Sequence, residues 1–182
     1  MSDVRLDATS LRGLAHPLRV RILGQLRETG PATATALAER LGQSTGATSY
    51  HLRQLATYGF VVEDPERNVG RERWWRAAHS RTILDIDALD PEAEGYMRAV
   101  AAQYNDRVDR WVADLAALPP VWLESLTLSD FRLRLTPAEA AALKKDLFTL
   151  LSRYRLDGAP GAPAGAEKVV AQLQLMPFPD DV

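Results

Sequence analysis

The residues of this chain that could do chemistry are small polar side chains at the start of one predicted helix and longer ones that follow it. The start, residues 43 to 49, is rich in Ser, Thr and Gly, and Tyr50, Arg53 and Gln54 come within the next turns. Small polar side chains can approach base edges in the DNA major groove, and longer ones can reach bases or phosphates. This segment is therefore a candidate recognition helix. Its candidate DNA contacts are Gln43, Ser44, Thr45, Ser49, Tyr50, Arg53 and Gln54.

A cluster of arginines lies further along the chain. Residues 67 to 81 contain five arginines and a single acidic residue, Glu72. Gly70 permits a turn within this stretch, and Trp74 and Trp75 are typical of a strand anchored in a core, with one of the two rings buried. Arginines projecting from such a hairpin could enter the minor groove or contact flanking phosphates. We expect Arg67, Arg71 and Arg73 to bind DNA in this way.

Charge is divided unevenly along the chain. The net charge of −2 alone argues against a nucleic-acid partner. Residues 1–80, however, hold eleven arginines and eight acidic residues, whereas residues 81–182 hold eleven basic and sixteen acidic residues. Only the front half is electrostatically suited to DNA. The polar helix face, taken alone, would be explained as well by a solvated helix surface, and the adjacent basic hairpin favours DNA. The arginine run could also be solvated surface, but the anchoring tryptophans beside it favour DNA binding.

Apolar spacing predicts the helices that position these side chains. Apolar residues from Leu11 to Leu26 recur every three or four residues with a break at Pro17, which predicts two successive helices. A third helix is expected between Thr33, as its cap, and Gly42, and a fourth over about 44–58.

A β-hairpin is predicted after the fourth helix. Phe60-Val61-Val62 is β-prone, a turn-prone segment follows, and residues 73–76 form the second strand. Two helices joined by a tight turn and followed by a basic hairpin make a winged helix-turn-helix, which we assign to residues 1–80.

A long helix is predicted in the back half. Asp90 caps it, Pro91 opens it, and the pair Pro119-Pro120 ends it, so that it spans about 91–118. Its apolar residues alternate at spacings of four and three, which is typical of a helix packed lengthwise against a partner. We interpret that partner as a second copy of the chain. The residues expected in the dimer contact are Met97, Tyr104, Val108, Trp111 and Leu115.

A β-α-β unit is predicted over about 126–178. Apolar and polar residues alternate over 131–135 and again over 169–175, and a capping box at Thr136 opens a helix between them. Two strands are marginal alone, so this unit is expected to lean on the long helix, on a strand at 82–86, or on a second protomer. The predicted fold class is mainly α with a small β component (α+β), with residues 81–182 serving dimerisation and effector sensing.

Three blocks account for most of residues 11–77: LRGLAHPLRVRILGQL, TALAERLGQSTGATSYHLRQLATYGFV and GRERWWRA. Together they resemble the winged helix-turn-helix transcription regulators of the ArsR type, and SYHLRQL is the most specific part. The segment LRLTPAEAAALKKDL is similar to the tails of larger members. The resemblance implies a symmetric dimer that binds a DNA operator, usually as a repressor and often released by a signal.

The chain departs from the metal-sensing members of that family. It has no cysteine, and His16, His51 and His79 lie in separate predicted elements, so we expect no metal site. His51 is interpreted as a packing or phosphate-contacting residue. The acidic residues around Asp85 and Asp87 lack the glycine and terminal glutamate of a calcium loop and are interpreted as linker and caps.

Neither catalysis nor a cofactor is predicted, because no phosphate-binding Gly loop, HExxH or GxSxG motif is present. Back-half aromatic residues could line a pocket for a small-molecule effector, although dimer core is the interpretation we favour. Arg132 and Arg134 could meet an anionic ligand or simply be solvated. The alternative to a regulator is a winged-helix protein-interaction module without DNA affinity, and an enzyme ranks third.

The location predicted for the protein is cytoplasmic, without a membrane partner. No apolar run approaches the roughly 18 residues that a membrane helix needs. The first residues, MSDVRLDATS, lack the basic and then apolar pattern of a signal segment.

Overall fold

A computed structural model describes residues 2–67, 72–84, 91–157 and 159–178 of the chain. The chain divides into two units, Met1–Ala117 and Leu118–Val182. The first unit contains, in order, β1 (Ser2–Arg5), α1 (Ala8–Leu14), α2 (Pro17–Thr29), β2 (Ala32–Thr33), α3 (Ala34–Leu41), α4 (Thr45–Thr57), β3 (Val61–Glu63), β4 (Trp74–Ala77), β5 (His79–Ile83) and α5 (Pro91–Asp114). The second unit contains α6 (Pro137–Leu151) and, before it, the 3-10 turn Pro120–Ser125.

The first helices follow the predicted pattern. Pro17 separates α1 from α2, and His16 caps α2 by accepting a hydrogen bond from the Leu18 N–H at Nδ1, 3.1 Å away. The Thr33 hydroxyl likewise accepts from the Ala36 N–H at the start of α3, 3.2 Å away. The apolar positions of these helices are buried and form the core with those of α3 and α4. The members on α1 and α2 are Leu11, Leu14, Leu18, Val20, Ile22, Leu23 and Leu26.

The wing is a three-stranded antiparallel sheet in the order β2-β4-β3. Val61 of β3 pairs with Ala77 of β4, and Ala32 of β2 pairs with Trp75. Trp75 is 6% exposed, whereas Trp74 on the opposite face is only half-buried. The prediction that one of the two rings is buried is confirmed, and so is the winged helix-turn-helix.

A second sheet, which the sequence pattern did not predict, pairs the strands on either side of the winged helix-turn-helix. Strand β1 runs parallel to β5, with Val4 opposite Thr82 and Arg5 opposite Ile83, and the Leu6 N–H donates to the Ile83 carbonyl at 2.9 Å. The segment SDVR is short and shows no apolar alternation, so it carries no strand signal of its own. Strand β5 lies earlier than the strand expected at 82–86.

Arg27 joins the end of α2 to this second sheet. Its Nε donates to the His79 carbonyl at 3.0 Å, and its guanidinium also donates to the Thr82 hydroxyl at 2.9 Å. Burial lowers the pKa of Arg27, and burial raises the pKa of the adjacent Tyr96 to about 12.

The long helix α5 packs against α1 and α2 of its own chain. Ala93, Tyr96 and Ala99 are buried in this contact, and the Arg107 guanidinium pairs with Glu28 at 2.5 Å. The first unit therefore extends to Ala117, whereas the sequence placed the boundary at residue 80. The helix ends at Asp114, with a 3-10 turn over Leu115–Ala117, and is shorter than the predicted 91–118. The predicted cap, Asp90, lies outside the described residues.

In the second unit, only the helix of the predicted β-α-β unit is formed. The Thr136–Glu139 capping box is present and opens α6, as expected. The described residues of 126–136 and 159–178 contain no strand, and Phe131, Leu133 and Val169 are exposed by 82%, 57% and 73%. A strand needs a neighbouring backbone to pair with, and within this unit the two segments do not supply one to each other. None of the described helices is long and apolar enough to span a membrane.

Candidate nucleic-acid interface

The turn between α3 and α4 fixes how the recognition helix begins. Gly42 adopts φ 63°, in the left-handed region that favours glycine, and ends α3. Ser44 caps α4, and its hydroxyl oxygen accepts from the Ala47 N–H at 3.2 Å. Ser44, which we predicted as a DNA contact, therefore already has a structural role, while its side chain stays exposed.

The faces of α4 separate core from solvent as the periodicity predicts. Thr48, Leu52 and Leu55 are fully buried, and the Thr48 hydroxyl is satisfied by the Ser44 carbonyl at 3.1 Å. The remaining predicted contacts lie on the outer side of the helix and on the turn before it. Gln43, Ser44, Thr45, Tyr50 and Arg53 are exposed, and Ser49 and Gln54 are half-buried.

The wing carries arginines that are already paired with carboxylates. An Arg73 guanidinium nitrogen lies 3.1 Å from a Glu63 carboxylate oxygen, and Arg67 lies 3.5 Å from Asp64 and over the ring of Trp74. The arginine side chains are 69% and 58% exposed. The pair of Arg73 with Glu63 is exposed on both sides and contributes little to stability, so the Arg73 guanidinium can exchange its carboxylate for a phosphate at small cost. The predicted contact Arg71 lies outside the described residues.

A groove separates the recognition helix from the wing. Its volume is about 370 Å³, and residues of α4, of the wing and of the start of α3 line it. Ser49, Arg53 and Arg73, all predicted contacts, meet there. Sequence reasoning missed the contributions of Thr35, at the start of α3, and of Glu72. Only the position of Thr35 in the first turn of a helix could have pointed to it. The full lining is Thr33, Ala34, Thr35, Thr45, Ser49, Arg53, Glu72, Arg73 and Trp75.

Two of the three histidines meet beside the recognition helix. The rings of His16 and His51 are 4.3 Å apart, and the Tyr50 ring lies 5.1 Å from His51. Burial lowers the pKa of His51, and the neighbouring His16 and Arg19 lower it further. The sequence pattern placed these two histidines in separate elements and did not indicate their contact, because contacts between distant elements leave no local pattern. In the described residues, no group of three or more His, Cys, Asp or Glu side chains could hold a metal ion.

The predicted dimer residues share one property in the single chain. Met97, Tyr104, Val108, Trp111 and Leu115 are all half-buried, because the fully buried face of α5 is the one that packs on α1 and α2. The helix thus presents a second strip of apolar side chains beside the buried face that packs on α1 and α2.

The match to known families falls on the helices described above. Residues 14–64 match the family model described as a helix-turn-helix domain, and no curated protein matches the chain. Several solved structures are similar to parts of the chain. One, described as a possible transcriptional regulator for arsenical resistance, is 31% identical over 58% of this chain and 94% of its own, with a TM-score of 0.33.

Two others are more distant in sequence. The homodimeric winged helix-turn-helix DNA-binding domain of a possible ArsR-family transcriptional regulator from Mycobacterium bovis is 20% identical over 54% of this chain and 77% of its own, with a TM-score of 0.35. A transcriptional regulator from Thermotoga maritima is 15% identical over 80% and 82%, with a TM-score of 0.35.

TM-scores of this size do not establish a common shape over whole chains. What the comparisons establish is a helix-turn-helix domain over residues 14–64, and the order of helices and wing strands in the first unit makes it a winged helix-turn-helix. The chain therefore contains a winged helix-turn-helix domain.

Proposed function

We propose that this protein is a homodimeric repressor that binds a pseudo-palindromic operator in double-stranded DNA. Each copy would place α4 in a major groove and its wing on the flanking backbone, with half-site centres about 10 bp, or a multiple of that, apart. Release by a small-molecule effector and a cytoplasmic location belong to the same proposal. We propose neither a catalytic role nor a cofactor.

The observation that carries this proposal is the shared groove between α4 and the wing. Ser49 and Arg53 come from the helix and Arg73 from the hairpin, and all three line one open surface. A helix that enters a major groove leaves the phosphate backbone at its side, where the wing arginine would lie. Neither element alone would offer both a base-reading face and a cation for the backbone.

DNA binding can be tested with a gel shift on the DNA upstream of the protein's own gene, followed by random-site selection. We expect affinity to fall steeply with salt, and the double variant Arg71→Ala with Arg73→Ala to reduce the magnitude of the salt slope by about two. Arg132→Ala is the matched control, because this side chain is 91% exposed but belongs to the second unit. Affinity that does not change with salt, or with the double variant, would overturn the wing assignment.

The outcome of the same assay separates the regulator from the alternative function. A folded dimer with no affinity above background for upstream or selected DNA would favour the protein-interaction module.

The dimer can be tested by sedimentation at micromolar concentration. Val108→Glu introduces a charge on the half-buried strip of α5 and should shift the protein toward monomer. Ala113→Glu is the control, since Ala113 is exposed and about 140° around the helix from Val108. A monomeric wild-type protein would defeat the proposed dimer.

A further inference from the structure

Three cationic or protonatable side chains meet where α2 begins and α4 passes. His16 is the cap of α2, Arg19 lies one turn further along α2, and His51 comes from the middle of α4. The two imidazoles are 4.3 Å apart. This cluster, His16, Arg19 and His51, lies on the flank of α4 away from the groove that the wing lines.

Two nitrogens in the cluster are left without a hydrogen-bond partner. Arg19 Nε and His51 Nδ1 are both buried and unpaired, although the Arg19 guanidinium also donates to the Arg12 carbonyl at 2.9 Å. Within the part of the chain that the structure describes, none of the three side chains forms an ion pair with a carboxylate. The positive charge of Arg19 is therefore not balanced by a carboxylate within the cluster, and the unpaired buried nitrogens leave both side chains incompletely satisfied by the protein itself.

We propose that the cluster is a proton-linked site for a phosphate of the DNA backbone, so that the protein takes up a proton when it binds DNA. This inference rests on the proposed function, since the phosphate is supplied by the same DNA that α4 would bind. The site would add a backbone contact on the side of α4 opposite the wing.

The position of the cluster supports a DNA phosphate. Tyr50, a predicted DNA contact that is 53% exposed, has its ring 5.1 Å from His51, so the cluster borders the exposed face of α4. His16 is exposed, and the first turn of α2 adds the positive end of a 13-residue helix. Phosphates of the backbone lie on both sides of a helix seated in the major groove.

His51 is the group that would gain the proton. His16 accepts a backbone hydrogen bond at Nδ1, so protonation there would remove the cap of α2. The groups that face His51 are His16 from the turn before α2, Arg19 from α2 and Tyr50 from its own helix. In the free protein, burial and, after it, the neighbouring His16 and Arg19 lower the pKa of His51, and an adjacent phosphate would raise it again.

The sign of the effect follows from linkage. Because DNA raises the pKa of His51, tighter binding is fully present below the pKa of the free protein and is lost as the pH rises through the pKa of the complex. At constant ionic strength, affinity should increase on acidification by up to about tenfold per pH unit between those two values.

The direct test follows the imidazole proton resonances by NMR against pH, with and without a mixed-sequence duplex at low salt. We expect the pKa of His51 to rise by about one unit or more when the duplex is bound. His79 is the internal reference, because it lies by Arg27 at the far end of α2, about 16 Å along the helix from His16, and its resonances should not respond to the duplex. An unchanged His51 pKa in the bound protein overturns the inference, whereas no duplex binding at any pH overturns the proposed function itself.

Variants provide an independent readout. His51→Gln should bind DNA more weakly than the wild type at acidic pH and lose the dependence of affinity on pH, whereas His79→Gln should keep both the wild-type affinity and its dependence on pH. His16→Asn retains an oxygen acceptor for the cap and removes the second imidazole, so it serves if the glutamine variant does not fold. A pH dependence that survives in the folded variants would contradict the assignment to this cluster.

Inorganic phosphate distinguishes a backbone site from a site for a free anion. When inorganic phosphate is titrated in place of the duplex, the pKa of His51 should stay unchanged. A free phosphate ion lacks the contacts by which the rest of the duplex would hold a backbone phosphate at this surface. An increase as large as that caused by DNA would show a free-anion site and overturn the assignment to the backbone.

Discussion

The two units of this chain obey the same local rules but differ in what surrounds their apolar residues. In the first unit, Phe60 is 1% exposed and Leu52 and Leu55 are fully buried. In the second, Phe131 is 82% exposed, and none of its described residues is buried. Helices α1 and α6 are both opened by a full capping box, Asp7 with Ser10 and Thr136 with Glu139. Local signals therefore suffice to start a helix, whereas burial depends on partners that come from elsewhere in the chain or from another chain.

The largest expected effect comes from core truncation. Leu52→Ala in α4 should lower the free energy of unfolding by about 2–5 kcal/mol, because it leaves a cavity in a fully packed site. Leu150→Ala in α6 is the counterpart, and with 46% of that side chain exposed we expect a change of less than about 0.5 kcal/mol. Denaturant unfolding of both variants measures the difference. Equal losses of unfolding free energy in the two variants would mean that a partner buries α6 in solution. The two units would then not differ in the burial of their apolar residues.

Glycine positions sharpen the comparison within the first unit. A Cβ on Gly13 would lie 2.6 Å from the Tyr58 ring, so Gly13→Ala should destabilise by about 1–3 kcal/mol. Gly46, in the first turn of α4, has open space around it, and Gly46→Ala should stabilise by up to about 1 kcal/mol because alanine favours a helix. Thermal melts decide the sign of each change. If Gly13→Ala were neutral, the close packing of α1 against the segment after α4 would be wrong.

Ion pairs should contribute to stability in the first unit and not in the second. The Glu28 carboxylate meets Arg107 at 2.5 Å, both side chains are largely shielded, and the pair joins α2 to α5. Glu28→Gln should cost about 1 kcal/mol and reduce the effect of salt on stability. Asp157→Asn, which breaks an exposed pair with Lys168, should leave the melting temperature unchanged. A measurable loss for Asp157→Asn would indicate that residues near it are shielded by a partner.

The capping boxes give the smallest effect and a pH dependence. The Ser10 hydroxyl hydrogen bond lowers the pKa of Asp7, and the backbone hydrogen bond with Thr136 lowers the pKa of Glu139. Each carboxylate therefore stabilises its helix at pH values above its ordinary pKa, which is 3.8 for Asp7 and 4.5 for Glu139. This stabilisation is lost as the pH falls through the lowered pKa of the folded protein.

Variants of the two boxes can be followed by helix content in circular dichroism. Asp7→Asn should destabilise the first unit as a whole in its cooperative unfolding transition, since α1 contributes Leu11 and Leu14 to the core. Glu139→Gln should only fray α6. A reversed order of sensitivity would contradict the view that α1 alone is coupled to a core.

Most of the fold that positions the candidate interface could be predicted from sequence. The break at Pro17, the caps at Thr33 and Thr136 and the end of α3 at Gly42 are all local signals, and each lies where expected. Strand β1 and the packing of α5 on α2 could not be predicted, because both depend on residues brought together across more than fifty positions. For the same reason the apolar pattern of α5 did not distinguish its own domain from a second copy.

The candidate site divides in the same way. The outer face of α4 follows from helical periodicity, which places Tyr50 and Arg53 opposite Leu52 and Leu55. The neighbours of that face were not predictable, since Thr35 enters from α3 and His16 from the start of α2. The ion pair between Arg73 and Glu63 also depends on the register of the hairpin, which sequence pattern alone does not fix.

The parallel pairing of β1 with β5 has a consequence for synthesis of the chain. Strand β1 is completed by a strand that is made more than seventy residues later. Helices α1 to α4 can form from neighbouring segments as they emerge, but the sheet of β1 and β5 cannot close before residue 83 is available. The winged domain is therefore expected to reach its final state only after residue 83 has been made, with β1 as one of its last parts to be fixed.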